Sequence, residues 1–287
     1  MNPSNMSFPQ HPSPWSALFT LPLVVALGAA AATAPGGRKP PPRPAGTPMK
    51  TIGVIGGIGP QATMDFEARV HRVAAARVTP HFNGGYPPLV VYYHRRPPVL
   101  IGPDGLAIEP VTPDPELLKA AARIGPMVDF LVITSNGAHR IAPEVARAAG
   151  KPVLSMVDRV VDEVGRRRWR RVGLMTLGPP TVYAEPLGRL GIATEALPSA
   201  RQQALDRAIF AVMSGTEDAA MKRTAREGLA DLRRRGVDGV ILGCTEIPFL
   251  IEPGEDDPGL IHPIALLAEA AVEHALPVDS TAALARP

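Results

Sequence analysis

The chain has 287 residues, 45% hydrophobic and 20% charged, an ordinary globular composition with length enough for two modest domains. A formal net charge of +3 and 5% aromatic residues argue against a nucleic-acid reader built on stacking platforms. The single cysteine excludes an internal disulfide framework, and nothing points to an oxidising compartment.

Residues 1–48 read as a segment outside the fold. The run from Trp15 to Ala34 is apolar but broken by Pro22, and its basic residues Arg38, Lys39 and Arg43 follow it, the reverse of a signal peptide. Three readings stand: an upstream start wrongly included, an uncharged signal segment, or a membrane anchor. Pro35 to Pro48 forms a Pro/Gly/basic linker, and the core is expected to begin at Met49. A cytoplasmic location is expected for that core, with anchoring or export if residues 1–48 are made.

From Met49 onward, strands and helices alternate, which predicts an α/β fold with parallel sheets and crossover helices. Strands are predicted near 51–56, 88–93, 129–134, 152–156, 171–175, 192–196, 237–242 and 259–262. Helices are predicted near 60–78, 113–125, 139–149, 158–168, 180–190, 199–213, 217–236 and 264–275. The Gly- and Pro-rich stretches Pro80 to Pro88 and Pro97 to Pro115 read as cleft-side loops, both suited to a lid or specificity element.

One design occurs twice. Ile52 to Ile55 runs into Gly56-Gly57-Ile58-Gly59-Pro60, and further on the buried run Phe130 to Thr134 ends in Ser135-Asn136-Gly137-Ala138-His139. Val172 to Met175 runs into Thr176-Leu177-Gly178-Pro179-Pro180, and Val240 to Leu242 ends in Gly243-Cys244-Thr245-Glu246. A duplicated lobe would place Ser135 and Cys244 on opposite walls of one cleft. An isolated cysteine is more often a small buried hydrophobe than a reactive group. At the end of a buried strand, however, a helix starting at Thr245 would depress its thiol pKa.

Gly57-x-Gly59-x-x-Ala62 satisfies a loose dinucleotide fingerprint, but the second predicted strand ends in Tyr93-His94-Arg95 without the acid that a ribose would need. A cofactor whose 2′-phosphate is met by Arg95 or Arg96 stays open as an alternative that leaves the repeated design and the Ser135/Cys244 pair unexplained. No His, Cys and carboxylate cluster has metal-ligand spacing. Every lysine lies outside the strand-end motifs, so neither a metal nor pyridoxal phosphate is implied.

The residues Met49 to Pro60 with Thr63, Ser135 to His139, Gly243 to Ile247, and Leu260-Ile261-His262-Pro263 resemble the aspartate/glutamate racemase family on its aspartate racemase side. The resemblance covers nearly all of 49–276. It implies two similar lobes with the active site between them, a first lobe of 49–155 plus 262–276, a second of 156–261, and a tail of 277–287. It also implies cofactor-independent racemisation by two cysteines, one per lobe. Here the second motif is intact, whereas Ser135 stands for the first cysteine and Gly137 for a threonine. Inversion needs a base on one face of the α-carbon and an acid on the other, and an alcohol is a poor base unless activated.

The expected function is therefore an amino-acid racemase with Cys244 as principal acid/base and Ser135 as opposite-face partner. The alternatives are a single-cysteine decarboxylase or isomerase of a related acid, and a non-catalytic ligand-binding relative. Expected substrate contacts are Gly59, Thr63, Asn136, Gly137, Thr245 and Glu246, with backbone N–H groups at two helix starts holding the α-carboxylate. Glu246 is expected mainly to bond backbone at its own helix start, and His139 is a candidate to orient Ser135 or a water. The family's specificity arginine falls at Leu100 and its lysine at Gln203, which puts a dicarboxylate in doubt unless Arg95 or Arg96 swings into the cleft. A small carboxylate or amino acid is the expected partner, nucleic acid is not, and a homodimer is expected from the family alone.

Overall fold

The computed structural model describes residues 43–44, 46–79, 82, 84–251 and 257–277. The apolar N-terminal run, most of the linker and nearly all of the expected tail lie outside the described residues. Among the described residues no helix is long and apolar enough to cross a membrane.

Two parallel sheets form from apolar runs buried on both faces. In the first, β1 (Ile52–Gly56) lies between β2 (Leu89–Tyr93) and β3 (Phe130–Ile133), with Ile52 opposite both Leu89 and Phe130. In the second, β4 (Arg171–Met175) lies between β5 (Ala193–Ala196) and β6 (Gly239–Leu242), and β7 (Leu260–Ile261) flanks β6. The two sheets share one order: entry strand central, next strand on one side, motif strand on the other. Even the outermost member corresponds, since Val153 bridges Leu131 of β3 where β7 pairs with β6.

The strand expected at 152–156 is reduced to that single bridge. Pro152 brings no N–H to a ladder, and at Ser155 the chain leaves the sheet, its hydroxyl accepting from Asp158 N–H to cap a helix.

The helices are α1 (Pro60–Arg77), α2 (Pro115–Ile124), α3 (Ala142–Ala149), α4 (Met156–Arg166), α5 (Thr181–Arg189), α6 (Ser199–Ser214), α7 (Ala219–Arg234), α8 (Ile247–Leu250) and α9 (Pro263–Ala275). On the first sheet, Phe66 and Val70 of α1 pack with Leu267, Ala271 and Val272 of α9 on one face. Leu117 and Ala121 of α2 and Val145 of α3 cover the other. On the second sheet, Leu205 and Ile209 of α6 and Leu229 and Leu232 of α7 cover one face. Val160 and Val164 of α4 and Tyr183 and Leu187 of α5 cover the other.

Two helices therefore cross over. α4 follows the first sheet's last bridge yet packs on the second sheet, α9 follows β7 yet packs on the first, and α4 and α9 touch each other. With both sheets parallel, the carboxyl ends of β1, β3, β4 and β6 all carry their glycine-rich or polar turns to one region, the usual ligand position of open α/β sheets.

Candidate active site

A cavity of about 730 Å³ lies at those strand ends, lined from the first lobe by 57–60, Arg95, Arg96 and 135–138, and from the second by Thr176, Leu177, Pro179, Thr181, Val182 and 243–246. Ser135 and Cys244 share it, each at the end of the motif strand of its own sheet. Gly59, Asn136, Gly137, Thr245, Glu246, Arg95 and Arg96 also line it, as expected for wall residues.

The first wall is built by backbone geometry. Gly57 turns at φ +75°, and a Cβ there would lie 2.7 Å from the Tyr93 Cα, so only glycine fits. Its N–H donates to Thr63 Oγ1 (2.8 Å), and that hydroxyl meets Thr134 Oγ1 at 2.9 Å, joining the β1 turn to the end of β3. Thr63 is consequently buried behind the wall, a support for the turn and not the substrate donor expected from its position.

The first motif continues as a 3₁₀ turn, Gly137–Ile141, and the α-helix begins only at Ala142. Asn136 is buried, and its Oδ1 accepts from the hydroxyl of Tyr183, a contact that joins the two lobes directly beneath the cavity. Gly137 is exposed with open space where a Cβ would stand, so the position offers no steric barrier to the threonine of the family pattern.

His139 does not line the cavity. Its Nε2 accepts from Met156 N–H (2.9 Å), which places the ring proton on Nδ1, donated to the Ser135 carbonyl (2.9 Å). Burial holds its pKa below the ordinary imidazole value. It fixes the backbone of Ser135 while both ring nitrogens are spent, so it is not the base for the Ser135 hydroxyl.

The second motif departs further from expectation. Cys244 Sγ donates to Glu246 Oε2 (3.1 Å), and Thr245 Oγ1 donates to the same oxygen (3.0 Å). Burial, followed by the Glu246 carboxylate, pushes the Cys244 thiol well above its usual pKa, with Asp206 adding in the same direction. The expected depression is overturned, because burial first, and then the nearby carboxylates, outweigh the weak dipole of a single-turn α8. Burial also raises the Glu246 carboxyl.

Glu246 makes no side-chain cap bond at α8, so its expected role at the helix start gives way to holding the thiol and Thr245. The Thr245 hydroxyl is likewise spent on Glu246 instead of being open to substrate. Glu246 reaches across the cleft. A Cβ on Gly59 would lie 1.8 Å from Glu246 Oε1, so the first wall leaves room for a carboxylate of the second lobe.

Arg96 Nε pairs with Asp114 (3.0 Å), and the Arg95 guanidinium sits over the Tyr93 ring at 4.8 Å. Leu100, where the family arginine was expected, does not line the cavity, and Gln203 is exposed. It is the neighbouring Gln202 that faces inward, donating to the Thr176 carbonyl and to Asp206, which in turn accepts from Gly178 N–H.

The loop after β2 is an antiparallel flap. Bridges Val99 to Pro113 and Ile101 to Ala107 close it, with a tight turn at Gly102 to Leu106. It supplies Pro97, Pro98, Val99, Ile101, Leu106 and Val111 to the cavity, and its side faces Arg140, which pairs with Glu109 through two bonds of 2.6 and 2.9 Å. Tyr183, Arg140 and Asp206 were not singled out from sequence, and the loop Pro97 to Pro115 was expected on the cleft side but not its antiparallel pairing. Only Arg140, adjacent to the first motif, had a positional signal. Among the described residues no three His, Cys, Asp or Glu side chains converge as a metal-ligand set.

Paired parallel sheets of identical order, with a hydroxyl and a thiol at equivalent strand ends on one cavity, define a two-lobe α/β protein of the racemase type. The family model for Asp/Glu/Hydantoin racemases matches residues 55–271, and the chain belongs to that family. The fold is similar to that of a putative Asp/Glu racemase from Yersinia pestis, at TM-score 0.60 and 19% identity, covering 79% of this chain and 99% of that one. An aspartate racemase homologue from Pyrococcus horikoshii OT3 is similar at TM-score 0.59 and 22% identity, covering 78% and 98%. A glutamate racemase from Francisella tularensis in complex with D-glutamate aligns at TM-score 0.53 and 17% identity, covering 78% and 80%.

Proposed function

We propose that the chain is a cofactor-independent racemase of an amino acid or closely related small carboxylic acid, with Cys244 as principal acid/base and Ser135 as its partner on the opposite face. The observation that carries this reading is the arrival of Cys244 and Ser135 at one cavity from equivalent strand ends of the two sheets.

The resting thiol is protonated and hydrogen-bonded to Glu246. Transfer of that proton to Glu246 leaves a thiolate beside a carboxylic acid; burial raises the carboxyl, which favours the transfer, and raises the thiol, which opposes it. The thiolate then removes the α-proton from its face, and the electron pair delocalises onto the substrate carboxylate. Backbone N–H groups of the two motif turns stabilise that developing charge. Delivery of the Ser135 hydroxyl proton completes inversion; the alkoxide left behind takes a proton from water, and Glu246 gives the proton it holds to the hydroxide so formed, which restores both groups. Redelivery from Cys244 instead returns the starting enantiomer. The pair Cys244 and Glu246 titrates as a unit, and Arg95 and Arg96 at the mouth attract an anionic substrate.

The asymmetry between sulfur and oxygen separates exchange from inversion. In heavy water the full chain should incorporate α-deuterium faster than optical rotation decays, Ser135→Cys should bring the two rates together, and Cys244→Ala should slow exchange about 10²- to 10⁴-fold. An unchanged exchange rate in Cys244→Ala would end this reading. His139, with both nitrogens on backbone, leaves Ser135 without that base, which favours as second reading a one-faced enzyme, a decarboxylase or isomerase protonating a carbanion from Cys244 alone.

A further inference from the structure

The chemistry above needs only a carboxylate and an α-proton, while the cavity is much larger and mostly greasy. Even if each of the roughly nine heavy atoms of an aminodicarboxylate is given the ~30 Å³ that a water takes in the liquid, the total is roughly 270 Å³, against about 730 Å³ here. The remaining space is walled by Val99, Leu106, Leu177, Val182, Phe210 and Met213.

The flap walls one side of this region. Its tip reaches the second lobe, where a Cβ on Gly105 would come within 3.0 Å of the Phe210 ring tip and one on Gly178 within 3.0 Å of Leu106. Phe210 belongs to α6, so elements of both lobes wall the apolar compartment.

Little counter-charge is held ready for a second carboxylate. The Arg140 guanidinium is taken by both oxygens of Glu109 and Arg96 by Asp114, and Arg95, which keeps its charge, rests on the Tyr93 ring. The acids Asp104, Glu109 and Glu246 also line the space. An unpaired carboxylate pressed against such walls would lose its hydration without replacement.

Resting on the racemase-type reading of the site, we propose that the substrate is a carboxylic acid whose α-substituent is bulky and apolar, seated beneath the flap against Leu106 and Phe210, and not an aminodicarboxylate. These two side chains, one from each lobe, determine specificity. A bulky group fills the compartment and displaces poorly held water, whereas aspartate or glutamate would leave it half empty.

The test uses the full chain with phenylalanine, leucine, aspartate and glutamate as probes, following α-deuterium incorporation by NMR and binding by calorimetry. Phenylalanine or leucine should exceed both dicarboxylates in kcat/KM for exchange by at least about tenfold, and Phe210→Ala or Leu106→Ala should reduce that ratio by roughly 10- to 100-fold, with thermal midpoints checking that the variants fold. A kcat/KM for aspartate or glutamate equal to or above that for the apolar acids would overturn the proposal and leave the racemase reading standing. If no probe exchanges, the racemase reading fails, and the calorimetric order still decides the subsite: apolar acids tighter supports it, dicarboxylates tighter overturns it.

Discussion

Gly59 has a backbone that any residue could adopt, at φ −112° and ψ 109°, so its reason for being glycine lies across the cleft. Glu246 Oε1 occupies the place its side chain would need. A methyl there must push the carboxylate from the thiol it accepts from, and misplacement of that kind is felt in rate. Gly59→Ala and Glu246→Gln should each lower α-proton exchange roughly 100-fold, and the double variant should fall no further, because both lose the same contact. Additive losses measured in that double-mutant cycle would show that Gly59 acts elsewhere. At this scale the sequence placed Ser135 and Cys244 at strand ends, and both line one cavity. It misjudged what Thr63, Thr245 and Glu246 do there, because side-chain partners depend on atoms brought in from distant positions.

At the scale of elements, His139 ties the turn after β3 to the start of α4, donating to one backbone group and accepting from another. Protonating Nε2 would eject the Met156 N–H, which is why burial holds the imidazole neutral and its pKa depressed. The unfolded chain therefore binds this proton more readily than the folded one. The corresponding stability is present above an unfolded pKa of about 6.5 and is lost as pH falls through the depressed folded value. His139→Leu should cost about 1–3 kcal/mol near pH 7.5 by orphaning a buried N–H. Urea unfolding at pH 7.5 and 5 should show the gap between parent and variant shrinking at the lower pH, and a gap of constant size would contradict the assignment. The regular elements themselves were legible. Every predicted helix is present, and the ends shift by a few residues because caps such as Ser155 and turns such as Gly137–Ile141 are local details finer than hydrophobic periodicity. The helix start expected at Thr245 comes instead at Ile247, and α8 is only four residues, too few to carry a period that would have fixed its length.

For the whole molecule, the exchange of α4 and α9 between lobes binds two sheets into one cooperative body. Leu267 of α9 is fully buried in the core of the first sheet, although its helix follows the last strand of the second. Leu267→Ala should cost about 2–5 kcal/mol. In a Trp15→Phe background, Trp169 reports on the second lobe, where it packs beside β4 and β6. If the lobes unfold together, Trp169 fluorescence and circular dichroism should shift to the same lower urea midpoint. A Trp169 transition that stays at the parent midpoint would show the lobes unfolding separately.

By itself the sequence determined the alternation of elements, the duplicated strand-and-turn design and the presence of a lone thiol at a strand end, because burial period, proline and glycine act over a few neighbouring residues. Only the tertiary structure decided the state of that thiol, the grease beneath the flap and the meeting of Glu246 with Gly59. Desolvation and the field of nearby carboxylates are properties of the assembled cleft, and no short stretch of chain contains them.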